Sequence, residues 1–137
     1  MIAYLDSSVI LRWLLKEKEA VSDIHLFSKF ISSELIRVEC FRTLERIHIR
    51  QLINEQELSL IRQKFFEILL NIELIEINRS ILQRACDPFP TTLGSLDAIH
   101  LSSALLWKDF YKKDLIFLTH DQELHNASRS MGFSVFE

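Results

Sequence analysis

Glycine, proline and cysteine each occur only twice in this chain of 137 residues, and each scarcity removes a class of protein. With so little glycine there is no glycine-rich backbone cradle for nucleotide phosphates, and with so little of either breaker long flexible loops are excluded. The two cysteines, Cys40 and Cys86, lie far apart without a Cys-x-x-Cys spacing. They build neither a disulfide scaffold nor a thiolate zinc site, and they read as reduced, apolar residues of a cytoplasmic protein. No apolar run reaches the length that spans a bilayer. Ile2-Ala3-Tyr4-Leu5 lacks the basic region that opens a signal peptide. An excess of positive charge is missing too, because 16 Lys and Arg face 19 Asp and Glu for a net charge of −3. A polyanionic or membrane-surface partner would therefore have to be met by a local patch. Repeats, linkers and low-complexity segments are absent.

What remains is an ordinary globular composition, 48% hydrophobic and 26% charged, at a length suited to one domain over residues 1–137. Short apolar runs alternate with helical patterns. Ile2–Leu5 reads as a strand ending on Asp6, with Ser7-Ser8 opening a helix to about Lys16. A second helix is expected over Ala20–Lys29, a strand at Phe30-Ile31, and a long helix from Glu34 to about Arg50 capped by Ser32-Ser33. Further helices are expected over Asn54–Leu70, Arg79–Cys86 and Gln122–Met131, with Gly132 at the C′ position of the last one. Strands are expected over Ile72–Ile77, Leu115–Leu118 and Phe133–Phe136. The segment Gly94-Ser95-Leu96-Asp97-Ala98-Ile99-His100-Leu101, continuing to Trp107, is apolar on nearly every face and belongs in the interior. The order is βα repeated, which predicts an α/β fold with a small, largely parallel sheet flanked by helices.

Four acids stand out against this frame. Asp6 and Asp121 each follow an apolar strand, whereas Glu39 and Asp97 sit on partly apolar sides of helices. In a parallel sheet such strand ends converge on one crevice. Carboxylates crowded there raise one another's pKa unless a counter-charge is present. A hard divalent cation, Mg²⁺ or Mn²⁺, answers that need with oxygen ligands alone, and Ser8 and Thr119 are placed to orient the ligands from behind. The same residues have plainer readings: Asp6 as a helix N-cap, Asp97 as a first-turn acid beside His100, and Glu39 as a surface acid paired with Arg42. Arg42, Arg46 and Arg50 form one ridge continuing from Glu39 at helical spacing. That ridge is either a cationic track for a polyanion or a solvated face. A phospho-receiver domain is excluded because the Ile72–Ile77 strand leads to Asn78 rather than an acceptor Asp. A haloacid-dehalogenase-type phosphatase is excluded because Ser8 stands where a second Asp is needed.

Asp6-Ser7-Ser8, Ser33-Glu34-Leu35 leading to Glu39 and Arg42, Ser95-Leu96-Asp97-Ala98-Ile99-His100-Leu101, Leu118-Thr119-His120-Asp121 and Met131-Gly132-Phe133 occur in this order along the whole chain. In them the chain resembles the PIN-domain proteins of the VapC toxin type, the Leu-Asp-Ala-Ile-His block being the most specific part. The resemblance implies a PIN-like fold and a metal-dependent endoribonuclease whose acidic site is Asp6, Glu39, Asp97 and Asp121, with Asp6, Asp97 and Asp121 on the Mg²⁺ or Mn²⁺. Glu39 depends on helix register, and Glu34 is the alternative. It further implies a homodimer inhibited by a small antitoxin protein. The second functional class consistent with the chain is a non-catalytic PIN-fold interaction module that regulates a partner.

Overall fold

The structure is a computed structural model that describes residues 1–16 and 22–134. Strand β1 (Ile2–Leu5) leads into helix α1 (Ser7–Leu14), and β2 (Lys29–Ser33) into the paired helices α2 (Leu35–Ile49) and α3 (Glu55–Leu69). Strand β3 (Ile72–Ile75), α4 (Arg79–Cys86), α5 (Ser95–Tyr111), β4 (Ile116–Leu118) and α6 (Gln122–Ser130) follow. The four strands are parallel in the order β3-β2-β1-β4, with Ile2 opposite Lys29, Ala3 opposite Ile116, and Phe30 opposite Ile72.

That order puts the helices in two layers. The chain steps outward from β1 to β2 to β3, then returns to the other side of β1. Right-handed crossovers therefore place α1, α2 and α3 on one face and the helices before and after β4 on the other. Strand alternation divides the side chains accordingly. Ala3 and Leu5 pack with Val9, Ile10, Ile36, Cys40 and Phe65 on one face. Tyr4 packs with Leu101, Ala104, Trp107, Phe117 and Leu124 on the other. All four strands point their carboxyl ends at one edge, where Asp6, Glu34, Glu76 and Thr119 follow them.

Most boundaries follow local chemistry. Asn54 caps α3 in a capping box with Glu57, and Asn78 caps α4 through the Ile81 amide. Ser33 Oγ accepts from the Leu35 amide at 3.1 Å and starts α2, one residue later than expected. Ser32 instead donates to the Leu5 carbonyl, 2.5 Å away. Gly132 has φ +88°, the left-handed conformation its C′ role requires.

The expected helix over Ala20–Lys29 is corrected. Residues 17–21 lie outside the described residues, and beyond them there is a single 3₁₀ turn, Ile24–Leu26, before β2 begins at Lys29. The Ser28 amide and hydroxyl both donate to the Met1 carbonyl, at 2.8 and 3.1 Å. This pulls the chain into sheet register while Phe27 packs on Phe30. The strand expected over Ile72–Ile77 ends at Ile75, where its carbonyl accepts from the Glu34 amide. The closing strand at Phe133–Phe136 is represented by one parallel bridge, Ser134 to Ile116, and residues 135–137 lie outside the described residues.

Candidate active site

Asp6 stands at the junction of β1 and α1 and is 5% exposed. Its amide donates to the Leu118 carbonyl at 3.2 Å, which ties the ends of β1 and β4 together. As the N-cap of α1, its Oδ1 accepts from the Ser8 amide at 3.1 Å and the Ser8 hydroxyl at 2.5 Å. Oδ2 accepts from Thr119 Oγ1 at 2.7 Å. The two hydroxyls are fixed in turn, Ser8 by the His120 amide at 2.9 Å and Thr119 by the Asp121 amide at 3.0 Å. Asp6 is thus the helix cap of the plainer reading and is at the same time held by both hydroxyls expected to orient it, Ser8 and Thr119. Burial pushes its carboxyl up, and the Ser8 and Thr119 hydrogen bonds oppose that.

Asp97 lies in the first turn of α5, half-buried, whereas Gly94 supplies the N-cap with no side-chain bond. Desolvation raises its carboxyl first, and the charges of Asp121, Asp6 and Glu39 raise it further. Of the four acids singled out in the sequence, Asp97 is thus the one whose carboxyl the other three raise. Asp121 is exposed and caps α6, its Oδ1 accepting from the Leu124 amide at 2.8 Å.

Glu39 does not pair with Arg42. Its Oε1 is 2.5 Å from His100 Nε2, and the His100 Nδ1 is 2.7 Å from the Tyr4 hydroxyl. His100 is 1% exposed and the Glu39 side chain 17%. Burial holds the Tyr4 phenol well above its ordinary range, so it remains a neutral donor. Glu34 stands elsewhere, paired with Arg37 at 3.5 Å and lining a surface groove with Phe41 and Arg42. Arg42, Arg46 and Arg50 are exposed along α2. Tyr4 and His100 were missed as site residues in the sequence. The signal for His100 was its place one turn beyond Asp97, but its partners lie on β1 and α2, which no local spacing relates to it.

Among the described residues no group of three His, Cys, Asp or Glu side chains is placed to hold a metal ion. Asp6, Glu39 and Asp121 are each turned onto protein donors instead. The donor set is nonetheless oxygen-only and mutually repelling around Asp97, and in type it fits a hard divalent cation. Cys40, buried beside Glu39 and Asp6, has its thiol pushed well up by desolvation and by both charges, so no thiolate nucleophile is available there.

Comparison with known proteins agrees with the fold. Over 136 residues, 96% of this chain and 94% of the relative, the sequence is 27% identical to Ribonuclease VapC46 of Mycobacterium tuberculosis (strain ATCC 25618 / H37Rv). The fold resembles a chain of a toxin-antitoxin complex from Klebsiella pneumoniae, with a TM-score of 0.63 at 18% identity, covering 98% of this chain and 96% of that one. The family profile for the PIN domain matches residues 3–129, and the chain belongs to that family.

Proposed function

We propose that this protein is an endoribonuclease that hydrolyses RNA phosphodiester bonds with Mg²⁺ or Mn²⁺, and that it is the toxin of a toxin–antitoxin pair. The carrying observation is that Asp6 and Asp121 follow the neighbouring parallel strands β1 and β4 of a PIN domain and are joined through the Thr119 hydroxyl, which donates to Asp6 and accepts from the Asp121 amide. The ribonuclease name of the mycobacterial relative and the toxin-antitoxin complex among similar structures support the same reading.

In this reading Asp6, Asp97 and Asp121 would hold the cation. Such an ion, when bound, neutralises charge at the phosphorus and acidifies a bound water. Ser8 and Thr119 keep both oxygens of Asp6 in fixed directions. Glu39, not required as a ligand, is left to take a proton from the attacking water. Arg42, Arg46 and Arg50 draw the RNA backbone toward the acids, because a planar guanidinium can hold two phosphate oxygens at once. In this reading the protein acts in the cytoplasm on cellular RNA. Apolar residues left exposed on α2, α3 and their connection, among them Val38, Ile49, Leu52, Leu60 and Leu70, supply surface for a second copy or for an antitoxin.

The test is cleavage of a labelled single-stranded RNA by purified protein. Chelation should stop the reaction, and Mg²⁺ or Mn²⁺ should restore it. A folded protein inert with either ion, while still capturing a partner, would leave the non-catalytic interaction module.

A further inference from the structure

Glu39 and His100 belong to opposite layers of the molecule. The helix carrying Glu39 packs through Ile36 and Cys40 into the core on one face of the sheet. The helix carrying His100 packs through Leu101 and Ala104 into the core on the other. Their side chains meet beyond the carboxyl ends of the strands, and Tyr4 of the central strand β1 completes the chain of contacts. Tyr4 itself is immobilised, fully buried and stacked on Phe117 with ring centroids 5.0 Å apart. Because a carboxylate only accepts, the proton between Glu39 and His100 belongs to Nε2. The neutral ring then accepts the Tyr4 O–H at Nδ1, and the whole line Tyr4–His100–Glu39 has one consistent set of donors. Asp97 sits one turn before His100 on the same helix. A ring that orients Glu39 is thereby locked in register with a second acid of the site.

We infer that Tyr4 and His100 are positioning residues, a strut across the carboxyl edge of the sheet that holds the Glu39 carboxylate toward Asp97 and Asp6. The inference rests on the nuclease reading above and concerns the turnover step. A misaimed Glu39 binds RNA as before and fails to take its proton. Arg42, one turn from Glu39 on α2, leaves the acid to the strut and stays exposed.

Glutamine can place an amide N–H close to where the imidazole Nε2–H stands, whereas leucine fills the volume without a donor. In RNA cleavage, His100→Leu should lower kcat about 100-fold, the scale of a misplaced catalytic group, and His100→Gln no more than about fivefold. The Kd for an uncleavable RNA should stay unchanged in both, and circular dichroism should report the same fold. Equal losses in the two variants, or full kcat in His100→Leu, would overturn the strut. Where His100→Leu does not fold, Tyr4→Phe decides, since it deletes only the hydroxyl: reduced kcat at constant Kd is expected, and unchanged kcat contradicts. A readout free of turnover is the ¹⁵N spectrum of the His100 imidazole, which should show the proton on Nε2; a bare Nε2 overturns the assignment. Asp97→Asn separates the two levels. Loss in Asp97→Asn with full kcat in His100→Leu removes the strut alone, whereas full activity in Asp97→Asn removes the nuclease reading and the strut with it.

Discussion

The Asp97 carboxyl stands half-desolvated at the carboxyl edge of the sheet, and burial together with the charges of Asp121, Asp6 and Glu39 raises it above its ordinary value. A carboxyl raised in the folded state adds stability below its ordinary pKa and loses it as pH rises through the raised value. Asp97→Asn should therefore melt higher than the parent at pH 7, and the difference should vanish at acid pH where both side chains are neutral. The gain is expected to be no more than about 1 kcal/mol, a few degrees in Tm, because solvent screens a half-exposed group. A parent that melts higher than Asp97→Asn at pH 7 would contradict the repulsion. Asp6 carries a shift of the same sign. Its replacement by Asn gains less, because Oδ1 and Oδ2 both accept from Ser8 or Thr119 and an amide nitrogen cannot.

Helices declare themselves in this chain where a side chain starts or stops them. Arg79–Cys86 matches its sequence boundaries because Asn78 caps it and Asp87-Pro88 ends it. The segment before β2 has apolar residues at helical spacing and no cap: Asp23 makes no side-chain cap bond, and contacts with Met1 override the pattern. Scarce glycine has an energetic consequence as well. The α5 helix ends on Lys112 in the left-handed conformation, φ 54° and ψ 41°, which costs a residue with a Cβ about 1–2 kcal/mol. Lys112→Gly should raise stability by about 1 kcal/mol after the greater chain entropy of glycine is counted, measured by urea denaturation; a lower midpoint would contradict it. On α2 the arginine ridge can be tested apart from the acids. Arg46→Ala with Arg50→Ala should flatten the salt dependence of RNA binding by roughly one to two units of slope. An unchanged slope would make the ridge a solvated face.

At the scale of the whole molecule the parallel fold was legible in the sequence, and with it the strand ends where the candidate site lies. Asp6 after β1 and Asp121 after β4 were readable because an apolar run stops at an acid, and parallel strands bring such ends together. Tyr4 and His100 were not, since they meet only when two helices from opposite faces reach past the sheet edge. The layering also leaves α2 and α3 with exposed apolar residues on their outer side, Leu60 67% and Phe66 54% exposed. Light scattering at high concentration should accordingly give the mass of two chains, and a strict monomer would count against that face as a self-association surface. Nuclease activity in this reading requires the four acids to act as one site. The most direct measurement is RNA cleavage by Asp97→Asn beside the parent protein, with Mg²⁺ or Mn²⁺ present and both preparations free of contaminating nuclease. Cleavage by the parent and none by the folded Asp97→Asn is the expected result; equal cleavage by both would contradict it.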